Sequence, residues 1–400
     1  MSDNQAMERG NGRKRRLSGV LSRRVEQPHA ERATKNPIPW YTPRFWHGMQ
    51  LGVLARQFAR HGFRVSPSKW HTAASITATS MVNSAAALAD AAIYGGSVRR
   101  TELEHPPLFI LGHWRSGTTF LHELLIRDPR HTFATTYQCY AASHFVLSEA
   151  WVTPWTGFLL PSRRPMDNMA AGWQRPQEDE MALANLGVPS PYLSMMFPND
   201  GPVFEEYLDL AGLSDEELQR WKTSVERFIR RLTYRDSRRI VLKSPPHTAR
   251  VRVLREMFPD ARFLHISRDP YELFASTCNL WKSLNETQTL QNGVDESWIE
   301  EYVYGTLTRM YEAYGRDTAG MAADRLMEVR YEDLVDDPWR VVEQAYGQLD
   351  LGDPAEAEPG VRAYLGEVQS YRRNRHELDE ATRASVRERW SGYFERYGYE

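Results

Sequence analysis

Four times in this chain a short, apolar-rich run is followed at once by a turn and a helical stretch, and that alternation constrains the fold most. The runs are Leu108–Leu111, Ile240–Leu242, Arg262–Ile266 and Met327–Arg330. In the first, four consecutive apolar residues suit a strand buried on both faces. Phe120, Leu121, Leu124 and Leu125 then recur at helical spacing over Thr119–Arg127, and Asp128-Pro129 stops that helix. The later runs lead into helices expected over about Thr248–Phe258, Tyr271–Lys282 and Trp339–Leu349. Strands alternating with helices predict an α/β chain with a mainly parallel sheet flanked by helices. Two more helices are expected over Ser214–Tyr234 and 295–317.

The 400 residues suffice for one large decorated domain, and 41% hydrophobic with 26% charged residues is ordinary globular composition. A formal charge of -2 argues against a general polyanion binder, so any anion site must be local and no nucleic-acid partner is expected. Residues 1–36 hold nine basic and four acidic residues with little apolar content, as a disordered basic tail would. Residues 37–104 read as a helical extension. Within it, Trp40 to Phe63 mixes aromatic and apolar residues with Arg44, Arg56 and Arg60, the pattern of an amphipathic helix lying on the core, a partner or a membrane surface. Ala73 to Ile93 is too rich in Ala, Ser and Thr, with Asn83 and Asp90, for a good transmembrane helix, and a packed or interfacial helix is expected. The main domain spans 105–400, with a pocket-shaping insertion over about 130–238. Only two cysteines, Cys139 and Cys278, and no apolar leader near the N-terminus predict a reducing, cytoplasmic setting, membrane-peripheral if the N-terminal helix touches lipid.

Gly112 to Thr119 reads GHWRSGTT, directly between the first strand and its helix. Two glycines four residues apart nearly satisfy the phosphate-loop pattern, but Thr118 stands where a nucleoside-triphosphate loop carries lysine. The backbone logic survives, since a tight turn before a helix aims free N–H groups and the positive helix end at an anion. The loop's cation, Arg115, lies inside it instead. No clear strand ending in Asp offers a metal ligand nearby, so a metal-independent anion donor is expected.

RSGTT after a buried strand resembles the 5′-phosphosulfate loop of the sulfotransferases that use 3′-phosphoadenosine 5′-phosphosulfate. The resemblance covers most of Pro107 to Leu351 and extends through VRYEDLVDDP, whose YEDL reads as structural. It implies a P-loop nucleotide-hydrolase-like sulfotransferase fold, with that nucleotide as donor co-substrate and no metal. On the family's pattern Gly112, Arg115, Ser116, Gly117, Thr118 and Thr119 grip the 5′ end. Arg268 in HISRDPYELFAST, with Ser276 eight positions on, would hold the 3′-phosphate. Lys243 in VLKSPPH matches a catalytic lysine acting on the transferring group, and Arg115 would stabilise the leaving side.

The general base stays open, because Pro245 occupies the position of a catalytic histidine. Its candidates are Glu178 and Glu180 in RPQEDE, which with the preceding RPMDNM resembles a bacterial sulfotransferase pattern, and His247. The acceptor is expected to be a hydroxyl or amine of a glycan, lipid or small molecule, with Trp151, Trp155, Trp173 and Tyr192 candidates for its pocket. Arg372, Arg373 and Arg375 read as an exposed charge run, with extra phosphate contacts as the alternative. A P-loop kinase and a non-catalytic nucleotide-binding scaffold are the competing readings.

Overall fold

Five strands form the sheet: β1 (Leu108–Leu111), β2 (His131–Phe133), β3 (Arg239–Lys243), β4 (Arg262–Ser267) and β5 (Leu326–Arg330). They lie in the order β2-β3-β1-β4-β5 and every neighbouring pair is parallel. This computed structural model describes Asn36 and residues 38–164, 169–368 and 378–400. Almost all of the stretch read as a basic tail lies outside the described residues, as do Arg372, Arg373, Arg375 and Pro165 to Asn168 of RPMDNM.

β1 shows why a wholly apolar run becomes the central strand: its alternate side chains supply two separate cores. Phe109 and Leu111 join Leu242 and Phe263 on one face. Leu108 and Ile110 join Val241, Leu264 and Ile266 on the other. The first face is covered by Pro270–Gln288 and Ile299–Thr318 through residues such as Leu273, Phe274, Val303 and Met310. The second is covered by α3 (Thr118–Leu125) and by Pro338–Leu349, through Leu121, Leu124, Val342 and Leu349. Each such fully buried side chain contributes about 1.5–3 kcal/mol of transfer free energy. Ile110 stands level with both Lys243 and Leu264, so β1, β3 and β4 deliver their following loops to one edge of the sheet. That edge is where open parallel sheets bind ligands.

Several expectations need correction. The insertion opens with β2, an edge strand that pairs with β3 and was not anticipated. Its three residues are too few to show a period, and two of them are polar. Trp40 to Phe63 is not one helix: a short 3₁₀ turn, Phe45–Gly48, precedes α1 (Leu51–Arg60). α1 turns Val53, Leu54 and Gln57 into the core, beside buried Trp46 and Met49, so this stretch packs on the body of the protein. The segment after β3 is first a 3₁₀ helix, Pro245–Ala249, and only then an α-helix, Val251–Met257, because two prolines cannot donate backbone hydrogen bonds.

α2 (Trp70–Arg100) runs longer than expected at both ends, and its inward face is largely polar. Asp90 pairs with buried Arg231 at 2.9 Å and accepts the Leu147 backbone N–H at 3.0 Å. Asn83 donates to the carbonyls of His47 and Met49. These bonds fix α2 to the 3₁₀ turn and the residue after it, to the helix Phe145–Thr156 and, through Arg231, to the helix Asp215–Arg235. Among the described residues no helix is long and apolar enough to cross a membrane.

Candidate functional site

The turn between β1 and α3 is built by glycine geometry and short hydrogen bonds. Gly112 has φ 146°, and a Cβ there would lie 2.7 Å from the Ile266 carbonyl oxygen. Its N–H donates to Thr248 Oγ1 at 2.7 Å, tying the loop to the segment after β3. Ser116 Oγ donates to the His113 carbonyl at 2.8 Å and closes the turn. Gly117, with φ 107°, caps α3 with no side-chain cap, which leaves the first-turn N–H groups of the helix available to an anion. Arg115 has φ 68°, a left-handed conformation costly for a residue with a Cβ and often found at binding sites. His113 is buried, and burial pushes its ring down to about 3, so it is neutral.

Arg115, Arg268 and Ser276 are brought into one connected group. Arg115 Nε donates to Ser276 Oγ at 3.0 Å, and Arg268 Nη1 donates to the Arg115 carbonyl at 2.8 Å. Arg268 follows β4 directly, and its guanidinium lies 4.6 Å from the ring centre of Tyr331. Tyr331 opens the YEDL segment and lines the same cavity. Its place in the cavity wall was not anticipated, because an aromatic after a strand carries no distinguishing sequence signal.

Lys243 ends β3 and is buried, with Nζ 2.6 Å from Glu178 Oε1. Burial pulls its ammonium below the usual lysine value, and the Glu178 carboxylate opposes that shift. The other Glu178 oxygen accepts from the Tyr192 hydroxyl, which in turn accepts the Trp114 indole N–H at 2.8 Å. Burial and the adjacent Glu178 push the Tyr192 phenol well above its usual value, so it remains a donor. A chain of contacts therefore runs from the phosphate turn, through Trp114 and Tyr192, to Glu178 and Lys243.

The three acids of QEDE diverge. Glu178 precedes the helix Asp179–Asn185 and borders the cavities described below. Asp179 accepts from Ser244 Oγ at 2.8 Å and lies 2.7 Å from His247 Nε2. Burial alone would raise its carboxyl, but the His247 ring and the Ser244 hydroxyl hold it below the ordinary carboxylate value. Glu180 is 1% exposed and pairs with Arg250 at 2.5 Å, while Ser190 Oγ donates to it at 2.6 Å. His247 is fully buried. Glu180 and His247 thus face protein, whereas Glu178 faces open space.

Two cavities meet at this point. The larger, about 960 Å³, is lined by Arg115, Gly117, Thr118, Thr119, Arg268 and Tyr331. Its charged lining, among the described residues, comprises five arginines and three glutamates, Arg163, Arg164 and Arg175 being the arginines outside the predicted set. The smaller, about 150 Å³, is lined by largely apolar and aromatic residues that include Phe45, Tyr140, Leu160, Tyr192 and Trp281. Trp114, Arg164, Arg175, Glu178 and Leu280 border both. Of the aromatics expected near an acceptor, Tyr192 lines the smaller cavity, Trp173 is buried in the core, and Trp151 and Trp155 lie on the surface.

A model of the sulfotransferase family matches residues 106–355. The omega-hydroxy-beta-dihydromenaquinone-9 sulfotransferase Stf3 of Mycobacterium bovis is 40% identical over 361 residues, covering 90% of this chain and 92% of its own. The protein of the same name from Mycobacterium tuberculosis is equally similar, again 40% identical over 361 residues and with the same coverage. Among solved structures, the sulfotransferase STF9 of Mycobacterium avium superposes with a TM-score of 0.63 at 19% identity, covering 88% of this chain and 97% of its own. The sulfotransferase STF1 of Mycobacterium tuberculosis gives 0.58 at 19% identity, covering 87% and 92%. At that identity the two structures speak to the fold.

Proposed function

The chain belongs to the sulfotransferase family, and from that premise we propose that it moves the sulfuryl group of 3′-phosphoadenosine 5′-phosphosulfate onto the hydroxyl of a lipid acceptor. The observation that carries this reading is Glu178, a single carboxylate that borders both an arginine-lined cavity and an apolar one while touching Lys243.

The donor set suits the nucleotide. A cavity of about 960 Å³ offers loop N–H groups and Arg115 for one phosphate end, with Arg268 and Ser276 joined to the same network for the other. Arginine's planar fork and permanent charge suit such oxyanions. The donor supplies an activated sulfuryl group, whose bond to the phosphate oxygen breaks as the bond to the acceptor oxygen forms.

Transfer of this kind passes through a loose arrangement whose charge grows on peripheral and leaving oxygens, so fixed cations are the main source of acceleration. Arg115 and the α3 N-terminus take the leaving phosphate oxygen. Lys243 faces the transferring group, held there by Glu178 and the short β3–β1 register. Glu178 accepts the acceptor's proton, since it alone of the three candidate bases reaches the cavities. Tyr192, kept protonated, holds the Glu178 carboxylate in place. Glu180, paired with Arg250, and His247, paired with Asp179, support the backbone that presents Glu178.

The lipid acceptor follows from two supports: the apolar lining of the smaller cavity and the quinol lipid named for the 40% identical relatives. The test is turnover with labelled donor and an ω-hydroxylated prenyl quinol, beside thermal shifts with adenosine 3′,5′-bisphosphate and with ADP plus magnesium. We expect a sulfate ester and a shift with the bisphosphate only. A shift with ADP and magnesium alone, and no ester, would overturn the reading in favour of a kinase. A shift with the bisphosphate and no transfer to any hydroxyl lipid would leave only a binding scaffold.

A further inference from the structure

α2 is built inside out. The sequence from Trp70 to Val98 holds one charged residue, Asp90, and that residue is fully buried against Arg231. Thr72, Ser80 and Asn83 are buried as well. Facing solvent instead are Met81 at 58%, Val82 at 67%, Leu88 at 75% and Ile93 at 60% exposure. Ala74, Ala78, Ala85, Ala89 and Ala92 are exposed between them, so the outer stripe is smooth and uncharged over more than five turns. A water-facing helix ordinarily shows the reverse pattern, and contiguous apolar surface of this kind marks an interaction site.

Exposed aromatics accompany the stripe. Trp40, 75% exposed, stacks edge-on with His71 at the start of α2 and with Tyr41. Trp151, Trp155 and Phe158, all more than 70% exposed, stand on the helix Phe145–Thr156 that packs on α2 and on the turn after it. Both groups are close in the chain to the smaller cavity's wall: Thr42 and Pro43 follow Tyr41, and Leu160 and Pro161 follow Phe158 by two and three residues.

We propose that this surface docks on an anionic lipid bilayer, lying on it and not through it, and sets the mouth of the smaller cavity against the acyl phase. The proposal rests on the lipid-acceptor reading above, whose substrate would then enter without crossing water. Tryptophans at the rim and apolar residues between them are the composition of an interfacial element. Charge selects the occupant. Arg99 and Arg100 are exposed at the end of α2, and residues 1–36, joined to the Trp40 end, carry nine basic against four acidic residues. A second copy of the chain would bring the same local positive excess and repel it, whereas phosphatidylglycerol attracts it.

The experiment is flotation of the full chain with vesicles of phosphatidylcholine containing phosphatidylglycerol, and with phosphatidylcholine alone. The wild type should float with the anionic vesicles. The triple variant Met81→Glu, Val82→Glu, Leu88→Glu should lose about 100-fold or more in partitioning, as expected when three apolar side chains no longer insert. The pair Trp151→Ser, Trp155→Ser should show a smaller loss. Both should keep the wild-type circular dichroism, Tm and bisphosphate binding, and should turn over a detergent-dispersed acceptor normally. Wild type that stays unbound, or a correctly folded triple variant that floats like wild type, overturns the docking. So does a wild-type dimer that the triple variant splits while neither binds vesicles, which would make the face a contact between copies. Intact flotation with no turnover of any lipid acceptor would instead overturn the functional reading and leave the docking supported.

Discussion

The two walls of the larger cavity solve opposite electrostatic problems. On the sheet-edge wall, Arg115 and Arg268 are linked to each other through a backbone carbonyl and to Ser276 through a hydroxyl. Those neutral partners orient the guanidinium groups, and a carboxylate on this wall, Glu272, lies 3.5 Å from Arg268. On the insertion wall, Asp179 is opposite His247, Glu180 is opposite Arg250, and Glu178 is opposite Lys243. There the three acids of QEDE are each paired inside the protein, and of the three only Glu178 keeps one side toward the cavity, beside Arg163, Arg164 and Arg175. One wall presents guanidinium groups held by neutral partners; on the other, paired acids and bases hold one carboxylate in position.

If that division is right, replacing neighbouring acids two positions apart should damage different properties. Glu178→Gln should lower kcat by about 10²–10⁴, the usual scale for removing a positioned base, with affinity for adenosine 3′,5′-bisphosphate retained. Single-turnover kinetics at saturating donor would show it, and wild-type turnover in that variant would move the base elsewhere. Glu180→Gln should leave kcat of the folded fraction unchanged but cost about 3–5 kcal/mol of stability in urea unfolding, because Arg250 is left charged and buried. A fall in kcat without loss of stability would place Glu180 in the chemistry and erase the contrast.

Acid should separate the walls more gently. His122 on α3 is pushed down to about 3 by burial and then by Lys243. In the folded chain it stays neutral while an unfolded imidazole, titrating near 6.5, takes a proton. Its contribution is therefore complete above pH 6.5 and declines as pH falls toward 3, by up to about 1.4 kcal/mol per unit. Asp179 moves in the same direction for a different reason: burial would raise it, His247 and Ser244 hold it lower, and its contribution is complete above its ordinary value of 3.8 and lost as pH falls below it. His122→Asn should thus flatten the slope of stability against pH just below 6.5, measured as urea midpoints across a pH series. An unchanged slope would show that the helix beneath the phosphate turn does not sense acid in this way.

The same contrast explains what could be read in advance. The phosphate turn was legible because its parts are consecutive: a four-residue apolar strand, two glycines four apart and a helix that follows at once. Arg268 with Ser276 was legible only beside that turn, through the family's spacing. On the insertion wall the meaning of each acid lies in a partner 65 to 70 residues away, Lys243 for Glu178 and Arg250 for Glu180. Adjacent letters in QEDE could not reveal that one faces a cavity and the others protein. β2 escaped notice because three residues show no period. α2 was read as packed or interfacial from its composition, yet the inversion of its faces appears only once Asp90 is seen to turn inward to Arg231.

Trp114 belongs at once to the glycine turn after β1 and, through Tyr192, to the wall of the smaller cavity, the chamber proposed for the acceptor. On the proposed reading, trimming the chamber on that side would also loosen the turn that grips the donor, which should channel variation in acceptor choice away from it. Ile38, Phe45 and Leu160 offer the freer ground, since they line the chamber from segments outside the turn. Relatives that diverge in substrate while sharing a donor should differ first at those three positions.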